Sequence, residues 1–286
     1  MITVNTKMIG LLGTPLGQSF SPRMQNEAYA AIGLDYHYFP IEVDNEHIAD
    51  VINGIRYMNF AGFAVTKPNK EFAVQFMDEM DELAAKMGSI NTVVKTGTKL
   101  KGYNTDGEGA AKSLLDEGVV FNESTFFVWG AGGAGRSVIA TLAYKGAKKV
   151  YICDISDKCF ELAKDINDKF APIAEAVKST DVEKVLELVE KSDVLMNLSG
   201  LGMKGHEDET PIDKKYIKPN HVCFDATYNP IKTKFLLEAE EKGCKVINGL
   251  GMVINQGALQ VKLWSGRPEP YEQMTKTIND ILKEVK

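Results

Sequence analysis

Cysteine and histidine are scarce in this chain of 286 residues, with four of each. The cysteines are Cys153, Cys159, Cys223 and Cys244, and no two of them form a CxxC pair. Cysteines without such spacing are typical of reduced thiols in a protein core, which predicts a cytoplasmic protein. The histidines have neither HxxxH nor HExxH spacing, so we expect no zinc site and no other metal centre.

Long hydrophobic runs and an excess of basic residues are also absent. No apolar stretch approaches the roughly 20 residues that a membrane-spanning helix needs. The N-terminal stretch lacks the basic start and apolar core of a signal peptide. The formal net charge is −6, whereas nucleic-acid-binding proteins usually carry a basic face. We therefore expect neither a nucleic acid nor a membrane as a partner.

The sequence does contain an alternation of strand-like and helix-like segments with short connections. This alternation predicts an α/β fold of parallel sheets covered by helices. Ser21 is predicted to cap a first helix that has Pro22 in its first turn, and residues 71–87 are predicted to be helical. Residues 90–94 and 99–104 resemble the two strands of a hairpin, and a further helix begins near residue 106.

Two domains are predicted, with the boundary where this hairpin ends. Residues 1–105 would form an N-terminal substrate-binding and catalytic domain, and residues 106–249 a Rossmann-type dinucleotide-binding domain. Residues 250–286 would be C-terminal helices that pack back toward the first domain. An unpaired edge strand near the N-terminus would be a surface on which a homodimer could form.

A glycine-rich turn in "FFVWGAGGAGR" is the first motif that carries chemistry. Gly130, Gly132 and Gly135 match G-x-G-x-x-G, and they follow a strand and open a helix, which is the context that gives this motif its value. Its glycines allow a tight turn, close approach of a pyrophosphate, and close packing of helix on strand. The alternative is that these glycines serve packing alone.

The strand after this turn ends in an acidic residue, Asp154, 24 residues after Gly130. An acid at this position accepts hydrogen bonds from the adenosine ribose and repels a 2′-phosphate. The residues that follow include Asp157 and no arginine, so the sequence predicts NAD as the cofactor, with NADP less favoured. Lys158 is the one nearby cation that argues the other way, and Asp154 could instead act as a helix cap.

Two further stretches suggest proton transfer. "AVTKPNKE" follows a short apolar strand with two lysines, and "GYNTDGEG" places Asp106 between a strand and a helix. Both stretches are expected to end strands on the same side of the first domain, where ligands collect in open α/β sheets. A lysine beside an aspartate can hold and pass a proton during alcohol oxidation. Taken alone, the first stretch would be a solvated turn and Asp106 a helix cap.

Seven stretches, in this order, resemble the shikimate dehydrogenase family, and most closely its quinate/shikimate dehydrogenase branch. They are "GTPLGQSFSPRMQN", "AVTKPNKE", "SINTVV", "GYNTDGEG", "GAGGAGR", "DATYNPIKT" and "GLGMVINQGA". The resemblance covers nearly the whole chain. It implies an NAD-dependent oxidoreductase that interconverts shikimate and 3-dehydroshikimate, quinate and 3-dehydroquinate, or both. Its partner would be a small hydroxylated ring carboxylate.

The resemblance also implies roles for individual residues. The catalytic pair would be Lys70 and Asp106. The substrate-binding residues would be Ser19, Ser21, Tyr38, Thr66, Asn91, Tyr228 and Gln256. The cofactor-binding residues would be Gly130, Ala131, Gly132, Gly133, Ala134, Asp154, Asn197, Ser199, Ala226, Gly249 and Met252. Taken as residues alone, Ser19 and Ser21 could be turn and cap residues, and Tyr38 could serve packing.

Three positions depart from the pattern of the family. Gln18 stands where histidine is usual, Ala64 where asparagine is usual, and Lys67 where an apolar residue is usual. Alanine at position 64 removes an amide and makes room for extra bulk, such as the tertiary hydroxyl of quinate. Lys67 is interpreted as solvated or as a second carboxylate contact. Two other functions stay open: a two-domain dehydrogenase for another substrate class, and a non-catalytic metabolite-binding regulator on the same fold.

Overall fold

A computed structural model describes residues 2–17 and 19–284 of the chain, and Gln18 therefore lies outside the described residues. The chain divides into two units. The first comprises Met1–Thr105 and Ile254–Lys286, and the second comprises Asp106–Val253. Within the described residues each unit contains one six-stranded sheet. The predicted α/β fold is confirmed, and none of the described helices has the length and apolarity to cross a membrane.

The sheet of the first unit mixes parallel and antiparallel strands. Its strands are β1 (Lys7–Gly13), β2 (Tyr36–Glu42), β3 (Phe60–Val65), β4 (Glu79–Met80), β5 (Thr92–Thr96) and β6 (Lys99–Tyr103), in the order β2-β1-β3-β5-β6-β4. β1 runs parallel to β2 and β3, whereas β5 runs antiparallel to β3 and β6. The ends of β1, β3 and β6 and the start of β5 therefore lie at one edge of the sheet. The predicted hairpin is β5–β6.

Helices cover this sheet and bury its apolar side chains. They are α1 (Ser21–Ala31), α2 (Ile48–Tyr57) and α3 (Glu82–Met87), followed after the second unit by α9 (Gly249–Ser265), whose residues from Ile254 belong to this unit, and α10 (Tyr271–Glu284). The apolar residues of α2 recur at helical spacing, with Ile48, Ile52 and Ile55 on one buried face. They pack in one cluster with Leu12 and Phe63.

The prediction of one helix over residues 71–87 is wrong. A short 3₁₀ helix spans Phe72–Phe76, strand β4 follows, and α3 begins only at Glu82. Helical structure is interrupted at Asp78. The Asp78 carboxylate accepts hydrogen bonds from Leu100 N at 2.7 Å and from Arg56 Nη1 at 2.6 Å. These partners hold residues 78–80 beside β6, where a helix cannot form.

The predicted cap at Ser21 is also wrong, since Ser21 is the first residue of α1 and Phe20 holds the N-cap position without a side-chain cap bond. Pro22 does lie in the first turn, where its missing N–H costs nothing. Ser19 Oγ accepts a hydrogen bond from Ser21 N at 3.3 Å. The turn before α1 is therefore held by Ser19.

The sheet of the second unit is parallel throughout. Its strands are β7 (Thr125–Trp129), β8 (Lys149–Asp154), β9 (Ala174–Lys178), β10 (Val194–Asn197), β11 (Val222–Asp225) and β12 (Lys245–Ile247), in the order β12-β11-β10-β7-β8-β9. The helices between are α4 (Asp106–Asp116), α5 (Gly133–Tyr144), α6 (Lys158–Lys169), α7 (Val182–Glu190) and α8 (Lys234–Glu241). This order is that of dinucleotide-binding sheets, with the reversal of strand order between β7 and β10.

The interior of the second unit is apolar and contains the cysteines. Phe127, Trp129 and Phe235 are buried in one cluster, with the Phe127 and Trp129 ring centroids 4.5 Å apart. All four cysteines are buried and unpaired. Burial raises the pKa of the Cys153 thiol to about 12. The prediction of reduced core cysteines is thus confirmed.

Candidate active site

The predicted lysine stretch follows β3 at the sheet edge of the first unit. Thr66 and Lys70 are half-buried, whereas Lys67 is exposed, as expected of a solvated lysine. The Lys70 carbonyl accepts a hydrogen bond from Ile90 N at 2.9 Å. A Cβ on Gly13 would lie 2.4 Å from Thr66 Cγ2, so only glycine lets the end of β1 approach this stretch so closely. The ends of β1 and β3 are thus brought together around Thr66.

Asn91 is the centre of the polar groups at this edge. It is buried, and its Oδ1 accepts hydrogen bonds from Thr105 N and Thr92 Oγ1, each at 2.8 Å. Its Nδ2 donates to Thr105 Oγ1 at 2.9 Å and lies 3.5 Å from Gln256 Oε1. The Asn91 carbonyl accepts from Val65 N at 2.8 Å, which fixes Asn91 beside Thr66. Two predicted substrate-binding amides, Asn91 and Gln256, are therefore neighbours within one unit.

The remaining predicted substrate-binding residues of the first unit lie around α1. Tyr38 lies in the middle of β2, is buried, and packs against Trp264 with ring centroids 6.1 Å apart. Burial raises the pKa of Tyr38, and a hydrogen bond with Ser21 opposes this effect. The Tyr38 backbone exchanges two hydrogen bonds with the amide of Asn26. Tyr38 thus connects the edge strand β2 to α1 through its hydrogen bonds with Asn26 and Ser21.

The glycine turn of the second unit has the geometry of a dinucleotide site. Gly130 has φ +106°, a conformation that side chains rarely adopt, and a Cβ on Gly135 would lie 2.0 Å from the Gly130 carbonyl oxygen. By contrast, nothing lies within 4 Å of a Cβ built on Gly132 or Gly133. The turn is therefore tight inside and open outside, at the N-terminus of α5, where backbone N–H groups attract phosphate. These residues fit the pyrophosphate of NAD or NADP, with Ala131 and Ala134 in the same turn.

Asp154 ends β8 and is bonded to this turn. Its Oδ2 accepts from Ala131 N at 2.7 Å, and its Oδ1 accepts from the N and the Oγ of Ser156, each at 2.8 Å. Burial opposes ionisation of Asp154, but these hydrogen bonds outweigh it, and the pKa of Asp154 lies below its ordinary value. The carboxylate is therefore a fixed negative charge beside the turn.

Other predicted cofactor residues lie at the ends of β10, β11 and β12. Asn197 is buried and donates to Asp225 Oδ2 at 2.8 Å, while its Oδ1 accepts from Ser199 Oγ at 2.6 Å. A Cβ on Gly249 would lie 2.1 Å from the Ala226 carbonyl oxygen, so these two residues are in contact. The structure thus gathers these residues at the carboxyl edge of the sheet, where open α/β sheets bind ligands.

The last three predicted residues also belong to the second unit. Asp106 is the first residue of α4 and is half-exposed. Tyr228 is half-buried, and burial raises its pKa. Met252 lies in the first turn of α9 and is half-buried.

Sequence reasoning missed several buried polar residues that hold these sites. In the first unit they are Gln25, Thr92 and Gln260, and in the second they are Asp225 and Thr233. Asp225 accepts from Thr233 Oγ1 at 2.7 Å and from Thr227 N at 2.8 Å. The available signal was a lone polar side chain among apolar neighbours, because a buried polar group demands a partner. The sequence could not name the partners.

Comparison with known proteins agrees with this arrangement. The family model described as "Shikimate dehydrogenase substrate binding domain" matches residues 11–93, and that described as "Shikimate 5'-dehydrogenase C-terminal domain" matches residues 249–278. A curated relative from Alkaliphilus oremlandii, named Shikimate dehydrogenase (NADP(+)), is 40% identical over 280 residues. The alignment covers 97% of this chain and 98% of the relative.

Two solved structures match over almost the whole chain. Shikimate 5-dehydrogenase from Listeria monocytogenes, in complex with shikimate and NAD, is 34% identical with a TM-score of 0.94, covering 97% of this chain and 98% of its own. Quinate dehydrogenase from Corynebacterium glutamicum, in complex with NAD, is 25% identical with a TM-score of 0.89, covering 96% of this chain and 99% of its own. The chain therefore belongs to the shikimate dehydrogenase family of NAD(P)-dependent oxidoreductases that act on CH–OH groups.

Proposed function

We propose that this protein interconverts shikimate and 3-dehydroshikimate, quinate and 3-dehydroquinate, or both, with Lys70 and Asp106 handling the proton. The observation that carries the proposal is the cluster of Asn91, Thr105 and Gln256 beside the Thr66–Lys70 stretch in the first unit. A ring acid with several hydroxyls needs several polar groups converging from different elements. This cluster offers amide and hydroxyl groups from the residue before β5, the loop after β6 and α9.

The proton chemistry follows from the type of reaction. Oxidising a secondary alcohol removes a hydride from carbon and a proton from oxygen, and the bound NAD(P)⁺ supplies the hydride acceptor. Lys70 Nζ would take the hydroxyl proton, and in its charged form it would stabilise the developing alkoxide. Asp106 would orient this ammonium. Chain connectivity supports the pairing, because Asp106 directly follows Thr105, which is bonded to Asn91 at the same sheet edge as Lys70.

The remaining predicted substrate residues have separate roles in this proposal. Ser19 and Ser21 would bind the carboxylate, Thr66, Asn91 and Gln256 would hold ring hydroxyls, and Tyr38 and Tyr228 would line the pocket. Ala64 pairs with Thr92 in the sheet and is buried. Its small side chain supports acceptance of quinate as well as shikimate.

For the cofactor we propose a preference for NAD. The support is the Asp154 carboxylate, whose lowered pKa keeps it charged where a 2′-phosphate would meet repulsion. The NADP(+) in the name of the Alkaliphilus relative points the other way, while the Listeria and Corynebacterium structures contain NAD. Direct comparison of the two cofactors on the purified protein is therefore decisive.

The test is an absorbance assay at alkaline pH with purified protein. Shikimate and quinate are each offered with NAD and with NADP, and reduced cofactor is followed over time. Reduction with at least one ring acid is the expected result, with the larger kcat/KM for NAD. No reduction with either acid would refute the proposed activity and leave a dehydrogenase for another substrate class or a non-catalytic regulator.

A further inference from the structure

A continuous chain of buried hydrogen bonds links α1 and α9 to Asn91. Gln25 Nε2 donates to Gln260 Oε1 at 3.2 Å, Gln260 Nε2 donates to Thr92 Oγ1 at 2.9 Å, and Thr92 Oγ1 donates to Asn91 Oδ1 at 2.8 Å. These four side chains are at most 3% exposed. Three of them, Gln25, Gln260 and Thr92, have no role in the reaction proposed above.

The direction of every bond in this chain is fixed by its two ends. At one end Gln25 Nε2 also donates to the Gly257 carbonyl at 3.1 Å, and a carbonyl can only accept. At the other end Asn91 Oδ1 accepts from the backbone N–H of Thr105, which can only donate. Between these ends, Thr92 must accept from Gln260 and give its single proton to Asn91. The Asn91 amide is thereby held with Nδ2 as the donor.

The same series of hydrogen bonds from Gln25 to Asn91 also fixes the position of α9. Gln256 and Gln260 are four residues apart and therefore lie on one face of the helix. The Gln260–Thr92 bond at 2.9 Å anchors that face to the start of β5, one turn away from the longer Gln256–Asn91 approach at 3.5 Å. This buried bond thus helps to place the amide of Gln256 next to Asn91.

We propose that Gln260 and Thr92 are positioning residues for the substrate. Together with the Thr105 N–H they fix the Asn91 amide so that Nδ2 faces Thr105 and Gln256, and they keep Gln256 beside it, so that these two amides select a ring hydroxyl at this point. The inference deepens the function proposed above and rests on it. It gives the ring-hydroxyl specificity to residues that need not touch the ligand.

The test compares steady-state kinetics of Thr92→Val and Gln260→Met with those of the full-length wild-type protein. Each variant keeps the approximate side-chain volume and interrupts the series of hydrogen bonds from Gln25 to Asn91. We expect KM for the ring acid to rise about tenfold, the effect of one lost hydrogen bond, with kcat and the cofactor KM within about twofold of wild type. Thr92→Ser keeps the hydroxyl and should have the wild-type KM. The double variant Thr92→Val/Gln260→Met should have the same KM as Thr92→Val, because both residues act through one series of hydrogen bonds.

A matched control separates positioning from mere stability. Thr277 is a buried threonine of the same unit whose Oγ1 donates to Glu27 Oε2 at 2.6 Å, a hydrogen bond that is not part of the series from Gln25 to Asn91. Thr277→Val makes the same substitution and removes a hydroxyl that donates to a carboxylate, so it should lower the thermal unfolding midpoint and leave KM unchanged.

The outcomes distinguish the two proposals. A wild-type protein with no turnover of shikimate or quinate would overturn both. An active wild type whose KM for the ring acid is unchanged by Thr92→Val and by Gln260→Met would overturn the positioning role alone. A rise in KM in those variants and not in Thr277→Val supports it, and if Thr92→Val does not fold, Gln260→Met still decides.

Discussion

The carboxylate of Asp154 accepts a hydrogen bond from Ala131 N at 2.7 Å, and this bond joins the end of β8 to the glycine turn after β7. The Asp154 carboxylate therefore has a structural role and an electrostatic one. It fixes the glycine turn that we propose to face the pyrophosphate, and its charge lies at the strand end beside which dinucleotide-binding sheets bind the adenosine ribose.

Asp154→Ser should shift the cofactor preference toward NADP. Serine removes the negative charge that repels a 2′-phosphate, so the ratio of kcat/KM for NADP to that for NAD should rise about tenfold or more. The measurement is initial rates with both cofactors at saturating ring acid. Asp168→Ser serves as a matched control, because it makes the same substitution at an exposed carboxylate of the same unit, which pairs with Lys164 at 2.7 Å. An unchanged ratio in Asp154→Ser would contradict the proposed NAD preference.

Alanine at two glycines of the turn should affect different properties: stability at Gly135 and cofactor binding at Gly133. Gly135→Ala places a Cβ 2.0 Å from the Gly130 carbonyl oxygen, so it should destabilise the protein by about 3 kcal/mol or more. Nothing lies within 4 Å of a Cβ on Gly133, so Gly133→Ala should change stability by less than about 1 kcal/mol. It should still raise the cofactor Kd, because the methyl group occupies the space proposed for phosphate. Urea unfolding and cofactor titration measure the two effects.

Lys70→Ala and Asp106→Asn should each lower kcat by about 10² to 10⁴, the range for loss of a general acid–base group. The fold should be retained, since both side chains are only half-buried. Lys67→Ala is the matched control, because Lys67 is an exposed lysine of the same stretch. Should Lys70→Ala turn over the ring acid at the wild-type rate, the proton-transfer role of Lys70 is wrong, although the family assignment stands.

Asp225 should make stability depend on pH. Burial raises its pKa above the ordinary value of 3.8, more than the hydrogen bonds from Thr227, Thr233 and Asn197 lower it. A carboxyl that binds its proton more tightly in the folded state contributes stability below the unfolded pKa, and this contribution is lost as pH rises through the folded pKa.

Asp225→Asn removes this titration. The free energy of unfolding of the wild type, minus that of the variant, should therefore be largest at acid pH and fall as pH rises. Urea unfolding of both proteins from about pH 4 to about pH 8 measures this difference, starting near the unfolded value. A difference that grows with pH would mean that Asp225 is stabilised as the anion.

The sequence by itself determined the features that depend on neighbouring residues. The strand, glycine turn and helix at 125–144 could be predicted because the turn requires a glycine at φ +106°, and glycine is the residue that adopts it at no steric cost. The β5–β6 hairpin and the helix beginning at Asp106 were predicted correctly for similar local reasons. The order of seven short motifs was enough to identify the family.

Tertiary structure decided what depends on residues far apart in the chain. The interruption of helical structure in residues 71–87 follows from the hydrogen bonds of Asp78 with Leu100 and Arg56. Local helix propensity does not include such contacts between distant residues. The Gln25–Gln260 bond joins residues 235 positions apart, and the Asn197–Asp225 bond joins two strand ends. A polar residue among apolar neighbours in the sequence indicates a buried group that needs a hydrogen-bond partner. Only the packing of strands and helices decides which group that partner is.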